Sequence, residues 1–145
     1  MKKIILSFML CLAALFSSAY GEEAEITVKI NGETLKTPIA AKIINDRTML
    51  PMRSVFETLG AKVEWAEADQ LIFATKGNKL ITLKIGYPKI VIQTTESEKS
   101  KVLELETAPF IEGDYTLVPV RAVAESLDAK VDWDGETNTV LITKQ

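Results

Sequence analysis

One stretch of this chain occurs twice. Thr48 to Trp65 reads TMLPMRSVFETLGAKVEW, and 68 residues later Thr116 to Trp133 reads TLVPVRAVAESLDAKVDW. Ten of these 18 positions are identical and the register needs no gap. Weaker similarity continues on both sides, with Asp46 matching Asp114 and Ile72–Lys76 matching Val140–Lys144. Ile26–Ile30 resembles Ile81–Ile85, but at a spacing of 55, so the second copy carries about a dozen extra residues, placed around Thr94–Lys101. Self-similarity at this period predicts one supersecondary unit used twice. The units span about residues 25–76 and 80–144.

Each copy has the same physical logic. Asn45-Asp46 and Gly113-Asp114 are turn pairs. Met49-Leu50 and Leu117-Val118 are short apolar strands that end at Pro51 and Pro119. A proline can open a helix because its missing N–H has no partner to lose there. Met52, Val55, Phe56 and Leu59 then fall at i, i+3, i+4 and i+7, as do Val120, Val123, Ala124 and Leu127. Gly60 suits a left-handed C-terminal cap, and Asp128 is a poorer but workable occupant of the matching position. Helices of about eight or nine residues are too short to stand alone and must dock on a sheet.

The remainder reads as strands. Ile26, Val28 and Ile30 alternate with polar residues, as do Ile81, Leu83 and Ile85. Leu71–Thr75 and Leu80–Lys84 flank a hairpin turn at Lys76–Lys79, and Asp134-Gly135 turns into a final strand at Thr139–Thr143. The polar stretch from Thr94 to Lys101 has no apolar anchor and is expected to be mobile. The expected class is α+β: two similar strand-helix-strand units forming one pseudo-symmetric domain, with short helices packed on antiparallel sheet.

The N-terminus carries an address. Met1-Lys2-Lys3, the apolar run Ile4–Phe16 and the small residues up to Gly21 have the layout of a secretory signal peptide over residues 1–21. Ala19 at position −1 with Ser17 at −3 is one cleavage frame; Gly21 at −1 with Ala19 at −3 is the other. The run is shorter than the about 20 residues that span a bilayer. Cys11 follows Phe8-Met9-Leu10 rather than small residues, so it reads as part of the signal helix and not as a lipid-attachment site. The expected location is secreted or cell-surface, off the membrane once the leader is cut; a leader retained as an anchor is the alternative.

Composition excludes more than it names. The chain has no histidine and a single cysteine, and that cysteine lies in the leader. Zinc sites of the His/Cys kind, imidazole copper sites, Ser-His-Asp triads and Cys-His dyads are therefore ruled out. Without Lys2 and Lys3 the balance is 15 basic against 20 acidic side chains, a net of −5. Nucleic acid is a poor partner for such a chain.

The doubled pattern Thr-x-x-Pro-x-Arg, then Val, Glu and Leu, then Ala-x-Val-x-Trp resembles the copper amine oxidase N-terminal-like domain, also called the stalk domain. Thr48, Pro51, Arg53, Val55, Glu57, Leu59, Ala61, Val63 and Trp65 carry it first. Thr116, Pro119, Arg121, Val123, Glu125, Leu127, Ala129, Val131 and Trp133 carry it again. The similarity covers about residues 25–144, so the domain is expected over residues 22–145. It implies a non-catalytic domain of exported bacterial proteins, which in the oxidases projects from the catalytic core. Copper in those enzymes sits in a separate domain, held by histidines beside a modified tyrosine. Met49 and Met52 are the nearest soft ligands here, and their apolar setting reads as core. No cofactor and no catalytic residue are expected.

Four residues are candidates for ligand binding: Arg53, Arg121, Trp65 and Trp133. As a functional set they offer two anion-binding guanidiniums and two indole platforms. As structural residues, each arginine pairs with the glutamate four positions on, Glu57 or Glu125, or with a loop carbonyl. Each tryptophan shares a strand face with Val63 or Val131, which places it toward the core. The acidic run Asp132–Asn138 lacks the ligand spacing of a calcium loop and reads as a turn. The leading expectation is an exported, non-catalytic binding or spacer domain whose partner is cell-wall polymer or a surface protein. A small secreted hydrolase using carboxylates, and a stand-alone inhibitor or regulator acting through a sheet edge, are the alternatives.

Overall fold

The computed structural model describes residues 25–145, so the signal-peptide assignment and Cys11 lie outside the described residues. Thirteen strands and two helices follow in chain order. The first half holds β1 (Thr27–Ile30), β2 (Glu33–Thr34), β3 (Lys42–Ile44), β4 (Arg47–Pro51), α1 (Met52–Thr58), β5 (Lys62–Ala66) and β6 (Leu71–Lys76). The second holds β7 (Lys79–Lys84), β8 (Lys89–Thr94), β9 (Ser97–Glu104), β10 (Phe110–Glu112), β11 (Tyr115–Pro119), α2 (Val120–Ser126), β12 (Lys130–Asp134) and β13 (Thr139–Thr143). The fold is mostly sheet, with two short helices. No described helix is long and apolar enough to cross a membrane.

The strands form three sheets, in the orders β12-β13-β1-β2, β10-β11-β4-β3 and β5-β6-β7-β8-β9. The middle one joins the two halves. There β4 and β11 pair antiparallel, with Leu50 opposite Val118, Pro51 opposite Leu117 and Pro119 opposite Met49. Each helix follows its proline directly. α1 packs on β4, β11 and β5, α2 on β11, β4 and β12, and the helices touch one another. The residues at helical spacing supply the buried face: Val55 and Phe56 in α1, Leu59 at its C-terminal cap, and Val123 and Ala124 in α2 have no more than trace exposure.

The helices end alike. Gly60 N–H donates to the Glu57 carbonyl and Ala61 N–H to the Phe56 carbonyl; Asp128 N–H donates to Glu125 and Ala129 N–H to Ala124. This is the pair of bonds that satisfies the last carbonyls through a left-handed residue. Gly60 has φ +88 and Asp128 φ +62. The α2 end gains a second partner, because Lys79 Nζ donates to the Ser126 carbonyl at 3.1 Å and to Asp128 Oδ2 at 2.6 Å. A cation at this end also complements the helix dipole.

The expectation of antiparallel sheet fails at one strand pair. β7 pairs antiparallel with β6 across the two-residue turn Gly77-Asn78, whereas β1 lies parallel to β13, with Val28 opposite Val140. A two-residue link forces the antiparallel arrangement, while strands from opposite ends of the chain are free of that constraint. Each of these similar strands thus lies beside the last strand of the other half, in opposite directions.

The stretch Thr94–Lys101 departs from expectation. Instead of a free loop it forms the tip and outer strand of a hairpin, with Thr94 opposite Ser97 and Ile92 opposite Lys101. Nearly all of β9 is exposed. Backbone pairing needs no apolar side chain, which is why polarity alone misjudged this segment.

Candidate functional site

The segment that follows β9 builds one wall of a groove. Leu105 is buried, so Glu104 and Glu106 on either side of it point outward. Thr107 then fixes this segment to the β3–β4 hairpin: its hydroxyl donates to the Ile44 carbonyl at 3.2 Å and accepts from Asn45 Nδ2 at 3.3 Å. Asn45 and Asp46 both have positive φ, the backbone of a tight two-residue hairpin turn. Arg47, just past that turn, forms an ion pair with Glu106.

The opposite wall is α2 and β12. Arg121 Nη1 donates to the Val131 carbonyl at 3.2 Å and lies 3.5 Å from Glu125 Oε1, tying the helix to the strand. Val131 faces inward at 7% exposure, and Trp133, two residues on, follows the same side of the strand. The expectation that this face buries the tryptophan fails for Trp133, which remains 49% exposed. It lines the groove. The indole lies beside Gly135, where an added Cβ would sit in ordinary contact, 3.4 Å from Nε1.

The resulting groove holds about 440 Å³ and is lined by the β3–β4 hairpin, the segment Glu104–Glu106, the start of α2, and Val131–Trp133 with Val140 behind them. Ile43, half exposed, stands on its rim. Arg121 and Trp133 are brought together here, and Arg53 and Trp65 are not among the lining residues. Arg53 Nη1 donates to Glu57 Oε1 at 3.2 Å on the outer face of α1. Trp65 is partly buried and packs against the core.

Sequence reasoning passed over Ile43, Arg47, Glu104 and Glu106. The alternation Glu104-Leu105-Glu106 is a signal that could have found two outward carboxylates, but nothing in it says that α2 and the β3–β4 hairpin line the same groove. Of the acidic run Asp132–Asn138, only residues 135–138 form the turn, and Asp132–Asp134 complete β12; Thr137 and Thr139 close that turn, and Asp134 Oδ1 accepts from Glu136 N–H at 3.0 Å.

The whole described chain except its ends matches a known family. The model for the copper amine oxidase N-terminal domain matches residues 29–142, and the chain belongs to that family. A search of curated proteins gave no match. The family domain is a non-catalytic part of the oxidases. Its name raises copper, and the donors here do not fit that metal. The chain has no histidine. Met49 and Met52 are both buried, but only Met52 belongs to the main core cluster, so they do not present a shared pair of thioethers. Among the described residues no three His, Cys, Asp or Glu side chains come together as a metal site.

Proposed function

We propose that this protein is an exported, non-catalytic binding or spacer domain of the bacterial cell envelope or extracellular space, with cell-wall polymer or a surface protein as its partner. One observation carries the binding role: a half-exposed tryptophan and an arginine line the same open groove of about 440 Å³. Large aromatic side chains left in water at a concave surface favour recognition over packing. The leader-like residues 1–21 support export.

The domain is also read as two related units about a local two-fold. Support comes from the ten identities in 18, from Leu50 opposite Val118, which are equivalent positions, and from the matching helix caps. The parallel pairing of β1 sets a limit to that symmetry.

A hydrolase is the weaker reading. A general acid needs a carboxyl shielded from water. In the groove, Glu106 and Glu125 are held by Arg47 and Arg121, and their side chains are 64% and 50% exposed.

Co-sedimentation of the purified protein with isolated cell-wall material, at low and high salt, tests the binding role. Binding that survives high salt supports a wall module. Binding lost with salt reduces to surface electrostatics. No binding at either salt removes wall glycan and leaves a protein partner.

A further inference from the structure

We propose that the groove beside Trp133 takes a cationic peptide segment, one that carries lysine or arginine side chains, and that Trp133, Asp46 and Glu104 recognise it. The proposal deepens the binding role above and rests on it. Asp46, Glu104, Glu106, Glu125 and Asp132 line the groove against Arg47 and Arg121, five carboxylates to two guanidiniums and a formal charge of −3.

Neither guanidinium is left over for an anionic ligand. Arg47 is paired with Glu106 and Arg121 with Glu125. Asp132 has Lys130 at 3.6 Å. Asp46 and Glu104 have no ion-pair partner among the described residues. An incoming ammonium or guanidinium finds two uncommitted carboxylates, and complementary charge of this kind steers and orients a partner.

The apolar part of the groove fits the same ligand. Trp133 at 49% exposure and Ile43 at 50% offer an indole and an aliphatic side chain to solvent. An indole attracts cations over its face, and a lysine stem covers apolar surface while its head stays charged. A neutral glycan would use the tryptophan but has nothing to answer the surplus of carboxylates. The volume of about 440 Å³ accommodates a few side chains of an extended segment.

The test titrates the purified Trp65→Phe protein, in which Trp133 is the only remaining tryptophan, with acetyl-Lys-Leu-Lys-Leu-Lys-amide. The glutamate-for-lysine counterpart and neutral chitin tetrasaccharide are run in parallel, with Trp133 emission as the readout. The lysine peptide is expected to bind and shift the emission. Asp46→Asn with Glu104→Gln should weaken it about tenfold, the sum expected of two partly exposed charge contacts. Glu33→Gln with Glu67→Gln, exposed carboxylates away from the groove, should stay within about twofold, since they act only through screened charge. Trp133→Ala, read by calorimetry with the fold checked by circular dichroism, should also weaken binding. Equal losses in both carboxylate pairs, an emission unmoved by saturating peptide, or binding of the tetrasaccharide but not the peptide each overturn the proposal. Wall co-sedimentation that persists in the groove variants overturns the groove's assignment and leaves the wall-binding role standing. Peptide binding in a protein that fails to sediment with wall does the reverse.

Discussion

Leu50 and Val118 face one another at the centre of the β4–β11 pair, both at 1% exposure or less. They occupy the same position in the two similar segments, 68 residues apart. Their flanking partners, Pro51 with Leu117 and Pro119 with Met49, cross over in the same way. Two equivalent strands that pair through equivalent residues bury one apolar seam between the halves. The Leu50 and Val118 side chains belong to one buried cluster that draws on both halves of the chain.

Leu50→Ala should cost about 2–5 kcal/mol, the range for a buried leucine that leaves a cavity. Paired with Val118→Ala in a double-mutant cycle, it should show a coupling of about 0.5 kcal/mol or more, because the two side chains are direct neighbours. Urea unfolding of the four proteins measures it. Strict additivity would mean that the seam is not shared.

The two helix caps should respond differently to exchange. Gly60→Ala places a Cβ at φ +88 and should cost about 1–2 kcal/mol. Asp128→Gly relieves a left-handed residue at φ +62 but removes the Lys79 ion pair. In 1 M salt that pair is screened, so the glycine variant should gain on the parent as salt rises. Thermal melts across a salt series give the sign.

Arg53 and Arg121 look equivalent in sequence, yet their removal should not be. Arg53 has only its exposed pairing with Glu57, and Arg53→Ala should shift stability by less than about 1 kcal/mol. Arg121 also donates to the Val131 carbonyl, so Arg121→Ala should cost roughly 1 kcal/mol more. Chemical denaturation of both single variants separates them, and equal losses would dismiss the α2–β12 tie.

β9 is the outer strand of the five-stranded sheet and carries Lys99 and Lys101 beside Val102, which is 51% exposed. Lysines on an edge discourage pairing with another chain. Replacing both by valine should produce higher oligomers at concentrations where the parent is a single species, as read by light scattering. An unchanged mass would show that another feature protects this edge.

Much of the architecture was legible locally. The spacing Met52, Val55, Phe56, Leu59 gave α1, its counterpart gave α2, and Gly60 and Asp128 marked their ends, because helix period and left-handed caps are properties of a few adjacent residues. The Leu71–Thr75 and Leu80–Lys84 hairpin followed from its turn. Polarity misled at Thr94–Lys101, where strand pairing held a segment with almost no buried side chain. Alternation gave the face of Trp133 correctly but not its exposure, since burial depends on what stands opposite.

The sequence by itself determined two similar strand-helix-strand segments, an apolar face on each helix, and a chain without imidazole chemistry. Tertiary structure alone decided that β1 leaves its own segment to lie parallel to β13, and that Asp46, Glu104 and Trp133 share one groove. Periodicity and turn chemistry act over a handful of residues. Which strand edges meet, and which side chains end up across a cleft, is settled by burying the shared core formed by segments far apart in the chain.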